Sequence, residues 1–146
     1  MAEALNLRII TPERIVLEKK VDEVSARAID GELTILPNHE PIVTALSIDV
    51  LQFKDQEQES VVAVIGGILE VDDNNVTILS DAAELDAEID EARARQAKER
   101  AEAEKTQRTD KLDVYITEMA ISRAVARLKA AELAKRHRSR NPNNPL

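Results

Sequence analysis

The sequence predicts a β-plus-α fold, with an N-terminal β-sandwich or flattened barrel followed by a C-terminal antiparallel two-helix hairpin. Three observations carry this. The only glycines, Gly31, Gly66 and Gly67, all precede residue 84. Short Val- and Ile-rich runs separated by turn signals end at about the same point, and alanine and charged residues dominate afterwards. Charge divides there too: residues 1–83 carry 16 acidic and 6 basic side chains, a balance of −10, whereas residues 84–146 carry 12 and 14, a balance of +2. The expected units are therefore a β domain over 1–84, a helical hairpin over 85–137, and a tail over 138–146 whose Asn-Pro-Asn-Asn-Pro run favours disorder.

In the first unit the runs LNLRII, RIVLE, VDEVSARAI, ELTIL, IVTAL, IDVLQF, SVVAVI, ILEV and VTILS follow one another at strand spacing. Val21, Val24, Ala26 and Ala28 are spaced to bury one face of a strand. Asp30-Gly31 and Asp72-Asp73-Asn74-Asn75 are hairpin-type turns, and Pro37-Asn38-His39-Glu40-Pro41 interrupts regular pairing. Gly66-Gly67 lies between two apolar runs and predicts a bulge or a tight corner, in preference to a ligand approaching the backbone.

From Asp86 the chain has no Gly, and no Pro until Pro142, and it is rich in strong helix formers. Two helices are expected, near 87–106 and 111–137, with Asp86 capping the first and Thr109 or Asp110 the second. Ile89 is the only large apolar residue of the first helix. That helix is expected to pack closely but weakly, helped by Glu91–Arg95 and Glu104–Arg108 pairs worth about 0.2–0.5 kcal/mol each. The second helix carries two apolar sectors on opposite sides, Leu112, Tyr115, Ile116 and Met119 on one and Val114, Ile121, Val125 and Leu128 on the other. One simple hairpin cannot bury both.

Arg123 and Arg127 continue the sector begun by Leu112 and Ile116. Their spacing is compatible with two solvated arginines and equally with an anion site, since paired guanidiniums offer forked donors to phosphate or carboxylate. From residue 120 onward there are seven bases and one acid, so this helix end also suits an acidic protein surface.

Composition excludes several classes. Without cysteine there is no disulfide framework, thiolate nucleophile or Cys-ligated metal. His39 and His137 are far apart and belong to no close-spaced ligand motif, so neither a His-rich metal site nor a Ser-His-Asp set is expected. Two aromatics, Phe53 and Tyr115, and a net charge of −8 argue against a nucleic-acid binder. No apolar run approaches the length of a membrane span, and MAEALNLRII lacks the basic start of a signal peptide, so a cytoplasmic location is expected. Carboxylates abound, but no spacing singles out an acid/base pair, and no catalytic residue is expected.

The stretch Asp30-Gly-Glu-Leu-Thr-Ile-Leu-Pro-Asn-His-Glu-Pro-Ile-Val-Thr-Ala-Leu, with Gly66-Gly-Ile-Leu-Glu-Val, Val76-Thr-Ile-Leu and the Ala-rich hairpin after them, resembles the epsilon subunit of bacterial F-type ATP synthase as far as about Leu133. The resemblance implies a non-catalytic rotor part of the central stalk, serving proton-driven ATP synthesis at the cytoplasmic face of the membrane as a peripheral subunit. It implies a sandwich bound to the gamma subunit and the c-ring, with Glu32 and His39 at the edge facing the c-ring loops. It also implies helices that extend toward the alpha and beta subunits and then obstruct ATP hydrolysis.

Some members of that family bind ATP on the folded hairpin through an Ile/Leu-Asp-x-x-Arg-Ala motif, which Ile89-Asp90-Glu91-Ala92-Arg93-Ala94 matches. The resemblance implies a nucleotide site of Glu84, Asp90, Arg93, Arg123 and Arg127, with the carboxylates accepting from adenine or ribose and the arginines meeting the polyphosphate. ATP is then a regulatory ligand that holds the hairpin folded, and no cofactor is required. Two alternatives stay open: the same five residues as a salt-bridge network without nucleotide, and an unrelated β-sandwich adaptor.

Overall fold

A computed structural model of the chain describes residues 3–140. Eight strands come first: β1 (Leu5–Ile10), β2 (Ile15–Val21), β3 (Glu23–Ala28), β4 (Gly31–Ile35), β5 (Ile42–Asp55), β6 (Gln58–Asp72), β7 (Asn75–Leu79) and β8 (Ala83–Leu85). A 3₁₀ turn at Asp86–Glu88 leads into helices α1 (Glu91–Gln107) and α2 (Lys111–Arg140). The sheet runs in the order β2-β1-β7-β6-β5-β3-β4, with β8 paired to β6, and it is not closed. Among the described residues only β1 and β7 pair in parallel. The fold is the expected sandwich-like β unit followed by two helices.

The main core lies inside this folded sheet, where Leu5, Leu7, Ile9, Val24, Ile35, Leu51, Leu69 and Ile78 are all buried. Their alternation with exposed neighbours, clearest in β1, is the strand period written in the sequence. Two pairs of expected strands are in fact continuous: IVTAL and IDVLQF form β5, and SVVAVI and ILEV form β6. The β5–β6 register keeps the same offset from Ile42↔Val71 to Asp55↔Gln58. Gly66-Gly67 is therefore a corner with no inserted residue, not a bulge. What approaches Gly67 is the chain itself, since a Cβ there would collide with the Leu79 carbonyl oxygen and lie 2.9 Å from Ser80 Cα.

The turn at Asp73-Asn74 is the expected one, with φ of 48° and 65°. A second two-residue turn, Gln56-Glu57 between β5 and β6, has φ of 52° and 68° on residues that resist this conformation. Asp22 Oδ2 accepts from the Gln56 backbone N–H at 2.8 Å and helps to hold it. Glu57→Gly should therefore raise stability by about 1 kcal/mol, read as a higher urea midpoint at unchanged slope.

The helices differ from expectation at their ends. Asp90, not Asp86, caps α1, its Oδ1 accepting from Arg93 N–H at 3.0 Å. Asp110 caps α2, accepting from Leu112 N–H at 2.8 Å. α2 continues through Arg140, three residues past its expected end at 137, and residues 141–146 of the expected tail lie outside the described residues. Strong helix formers carry the helix at least as far as Arg140. Among the described residues the expected Glu91–Arg95 and Glu104–Arg108 pairs are absent, Glu91 turning instead to Lys135 at 2.7 Å and Arg108 to Asp113 at 3.8 Å.

Candidate functional site

The hairpin lies on the outer side of β5 and β6. β6 buries five successive residues, Val61 to Ile65, which means both of its faces are covered there. The second cover is α2: Val50, Val61 and Ala63 meet Ala130 and Ala134, with Ile89 and Leu133 at the margin. The two helices meet along small residues. Ala94 and Ala101 are the buried residues of α1, and Thr117, Ala124 and Ala131 repeat the same seven-residue spacing on α2. Thr117 is satisfied internally, donating to the Asp113 carbonyl at 2.7 Å. An alanine methyl gains only about 0.8 kcal/mol on burial, so both contacts are close and shallow.

Neither apolar sector of α2 becomes a core. Leu112, Tyr115 and Ile116 remain 65%, 59% and 54% exposed, and Val125 42%. The alanine stripes between the sectors are what the hairpin buries.

Of the five residues expected at a nucleotide site, the structure joins two directly. Arg127 Nε donates to both carboxylate oxygens of Glu84 at 3.0 Å, linking α2 to β8 in a half-buried setting. Nε is thereby committed and the two terminal amino groups remain as donors. Arg123 lies one turn earlier on α2, half-buried, and Arg93 is exposed at the start of α1. Among the described residues neither forms an ion pair, and Asp90 is engaged in its capping bond. Lys135–Glu91 and Lys105–Glu118 fix the antiparallel level of the helices. At about 1.5 Å rise per residue, Arg123 stands roughly 13 Å along the hairpin from Arg93. The five residues are thus spread along the hairpin and do not form a compact cluster.

Glu32 and His39 are not neighbours. Glu32 follows the β3–β4 turn on an exposed side chain, 3.7 Å from Arg27, whereas His39 lies beyond the other end of β4. His39 Nδ1 is 2.7 Å from the Glu40 carbonyl oxygen, and the adjacent Asn38 N–H donates to Asn74 Oδ1 at 2.7 Å. The Pro37–Pro41 loop and the β6–β7 turn therefore form one end of the sheet. On the open face, Ile10, Leu79, Ile68 and Ala45 sit side by side across β1, β7, β6 and β5. Leu79 and Ile68 are 48% and 47% exposed, which makes this row an apolar surface without a cover.

Sequence reasoning missed most of what docks α2. Lys129 Nζ meets Asp49 Oδ1 at 2.8 Å, Arg138 meets Asp86 Oδ2 at 2.6 Å, and His137 Nε2 meets Glu59 Oε2 at 3.0 Å. Among the described residues His137 Nδ1 is buried without a hydrogen-bond partner. Asp86, read as a helix cap, is thus an anchor. The one signal available was SVVAVI itself, since an unbroken apolar run means a strand covered on both sides. On the sheet side of the linker, Arg14 Nη2 holds both Glu88 oxygens at 2.8 and 2.7 Å.

The Lys135 ammonium, first as a hydrogen-bond donor and then as a charge, holds the Glu91 carboxyl below its ordinary value of 4.5. A lowered folded value favours the α1–α2 contact above about pH 4.5, and this contribution is lost as pH falls through the lowered value. Acid titration should loosen the α2 end before the sheet melts, seen as earlier exchange of hairpin amides than of β1 and β7 amides. Among the described residues no helix is long and apolar enough to cross a membrane, and no group of three or more His, Cys, Asp or Glu is placed to hold a metal.

Two family models match, described as the ATP synthase delta/epsilon chain beta-sandwich domain over residues 4–86 and its long alpha-helix domain over 87–132. An ATP synthase epsilon chain of Moorella thermoacetica is 50% identical over 129 residues, covering 88% of this chain and 96% of the relative. That of Desulforamulus reducens is 42% identical over 132 residues, covering 90% and 100%. A chain in the Euglena gracilis mitochondrial ATP synthase structure shares the fold at a TM-score of 0.74 and 24% identity, covering 90% of this chain and 81% of that one.

Proposed function

Because this chain belongs to the ATP synthase epsilon family, we propose that it is a rotor subunit of the central stalk that supports proton-driven ATP synthesis and restrains ATP hydrolysis through its C-terminal helices. The family membership sets aside the unrelated-adaptor alternative. The observation that carries the regulatory part is the exposed Leu112, Tyr115 and Ile116 on a helix docked by alanines. A helix with an unburied apolar sector and a shallow seat is built to change partners. In the extended form that sector and the basic end of α2 would meet the alpha and beta subunits.

The apolar row of Ile10, Leu79, Ile68 and Ala45 is the face that suits the gamma subunit. Glu32 and the His39 loop are placed for the c-ring, at two ends of β4. The subunit is then peripheral, at the cytoplasmic face of the cell membrane, and it performs no catalytic step.

ATP is the proposed regulatory ligand of the docked form. Asp90 and Arg93 receive one end of the nucleotide, while Arg123 and the free amino groups of Arg127 receive the phosphates. Glu84 serves chiefly to aim Arg127. ATP at 100 times its dissociation constant would add about 2.7 kcal/mol to the docked hairpin, enough for a roughly 100-fold shift. Calorimetric titration of the full chain with ATP tests this, and the absence of heat at millimolar nucleotide in both the wild type and Arg123→Ala sinks the nucleotide site. Hydrolysis by the assembled synthase, compared with and without α2, tests the inhibitory role independently.

A further inference from the structure

Among the described residues, every ion pair that ties α2 beyond residue 120 to another element has its cation on α2 and its anion elsewhere. Arg127, Lys129 and Arg138 face Glu84, Asp49 and Asp86 across the hairpin–sheet contact at 3.0, 2.8 and 2.6 Å, His137 Nε2 lies 3.0 Å from Glu59, and Lys135 meets Glu91 of α1 within the hairpin at 2.7 Å. On the sheet side the carboxylates come from β8, β5, β6 and the 3₁₀ turn, so no single element holds them. Asp49 is the least exposed, with a side chain 19% accessible, and its Oδ1 is already fixed by the Val50 N–H at 2.7 Å. Such a carboxylate is oriented before Lys129 arrives. Each pair alone contributes little at a wet surface. Beneath them Ala130 and Ala134 rest on Val50, Val61 and Ala63, with Ile89 and Leu133 at the margin, so the helix side of the apolar contact is mostly alanine and the pairs add to a shallow seat.

We propose that the three pairs Arg127–Glu84, Lys129–Asp49 and Arg138–Asp86 are an ionic latch, in which the sheet and its linker serve as an intramolecular stand-in for an acidic protein surface. While docked, α2 has its basic stripe neutralised by the chain's own carboxylates. Release requires screening by salt or competition from another acidic surface. The competing half of this statement rests on the regulatory reading above, and the latch itself does not. Pairs within the hairpin, such as Lys135–Glu91 at 2.7 Å and Lys105–Glu118 at 3.3 Å, survive undocking of the hairpin as a unit and carry no part of the switch against the sheet.

The chain has no cysteine, so dyes can be placed on Lys20→Cys in β2 and Ser139→Cys in α2 without background. Energy transfer in the nucleotide-free full chain then reports the docked fraction. Raising NaCl from about 0.05 to 0.5 M is expected to lower the docking constant about tenfold. Asp49→Lys with Asp86→Lys should lower it about tenfold at low salt and flatten the salt dependence, and adding Lys129→Asp should recover part of the loss. Poly-L-glutamate at matched ionic strength should lower the docked fraction further. A docking constant unchanged across the salt range in the otherwise wild-type chain overturns the latch, whether or not the reversed variant folds. No effect of poly-L-glutamate overturns the stand-in role. Because no nucleotide is present, a failure of ATP binding would leave both results standing.

Discussion

Gly67→Ala should cost about 3 kcal/mol or more and lower the melting temperature by roughly 10–20 °C. Gly67 sits at φ 125° where β6 leaves β8 for β7, and its missing Cβ is the space that the Leu79 carbonyl occupies. Neither neighbour can yield cheaply, because Ile68 pairs with Leu79 in the β6–β7 ladder and Gly67 itself pairs with Leu46 in β5. Gly66 supplies the control. It also has positive φ, at 68°, but its nearest contact for a Cβ is 3.8 Å away. Gly66→Ala should therefore cost only about 1–2 kcal/mol. Chemical denaturation of the two variants gives the ranking, and equal losses would mean that backbone conformation, not the Leu79 contact, explains the glycine pair.

Arg127→Ala should weaken ATP binding about 10- to 100-fold, the scale of losing charge-assisted hydrogen bonds to phosphate. The more informative variant is Glu84→Gln. Both Glu84 oxygens accept from Arg127 Nε, so its expected role is to fix the guanidinium, and the loss should be smaller, about 3- to 10-fold. That loss should be the same for ATP and for inosine triphosphate, since in the proposed site Arg127 would meet phosphates common to both. A Glu84→Gln defect confined to ATP would instead place this carboxylate on the adenine amino group. The salt-bridge alternative predicts no binding to disturb; it retains only the Glu84–Arg127 pair among the five residues, and that pair joins sheet to helix, not helix to helix.

The parts of the fold that were legible are those written in short-range pattern. β1 coincides with LNLRII, and Asp73-Asn74 turns where its residue types demand. The division near residue 84 follows from helix formers replacing β-branched residues. The unbroken β5 and β6 were not legible, because Gly66-Gly67 looks the same in sequence whether the strand ends, bulges or bends. β8 was missed as well, being three residues long. The candidate site was legible only in part. Arg123 and Arg127 announced themselves by i,i+4 spacing, but their partners did not, since Glu84 is 43 residues from Arg127 and Asp49 is 80 from Lys129. Pairing over such distances is decided by how the hairpin lies on the sheet, which no local pattern encodes. The same reason explains why alanine, which carries no amphipathic signal of its own, marked the buried stripes of α2 better than its large apolar residues.

The linker between sheet and helices sets the mechanics of any opening. Glu88 is held by Arg14 from the strand side, and its Oε2 also accepts from the Leu85 N–H at 3.3 Å, so the 3₁₀ turn belongs to the sheet. Ile89 and Asp90 are extended, and α1 starts immediately after them. The fulcrum is therefore confined to two residues, with a rigid arm of about 25 Å beyond it. A rotation of about 30° there would swing the hairpin tip through roughly 13 Å while requiring no change within either helix. Small torsional adjustments at Ile89-Asp90 are thus geared into large travel of Leu112 and Tyr115.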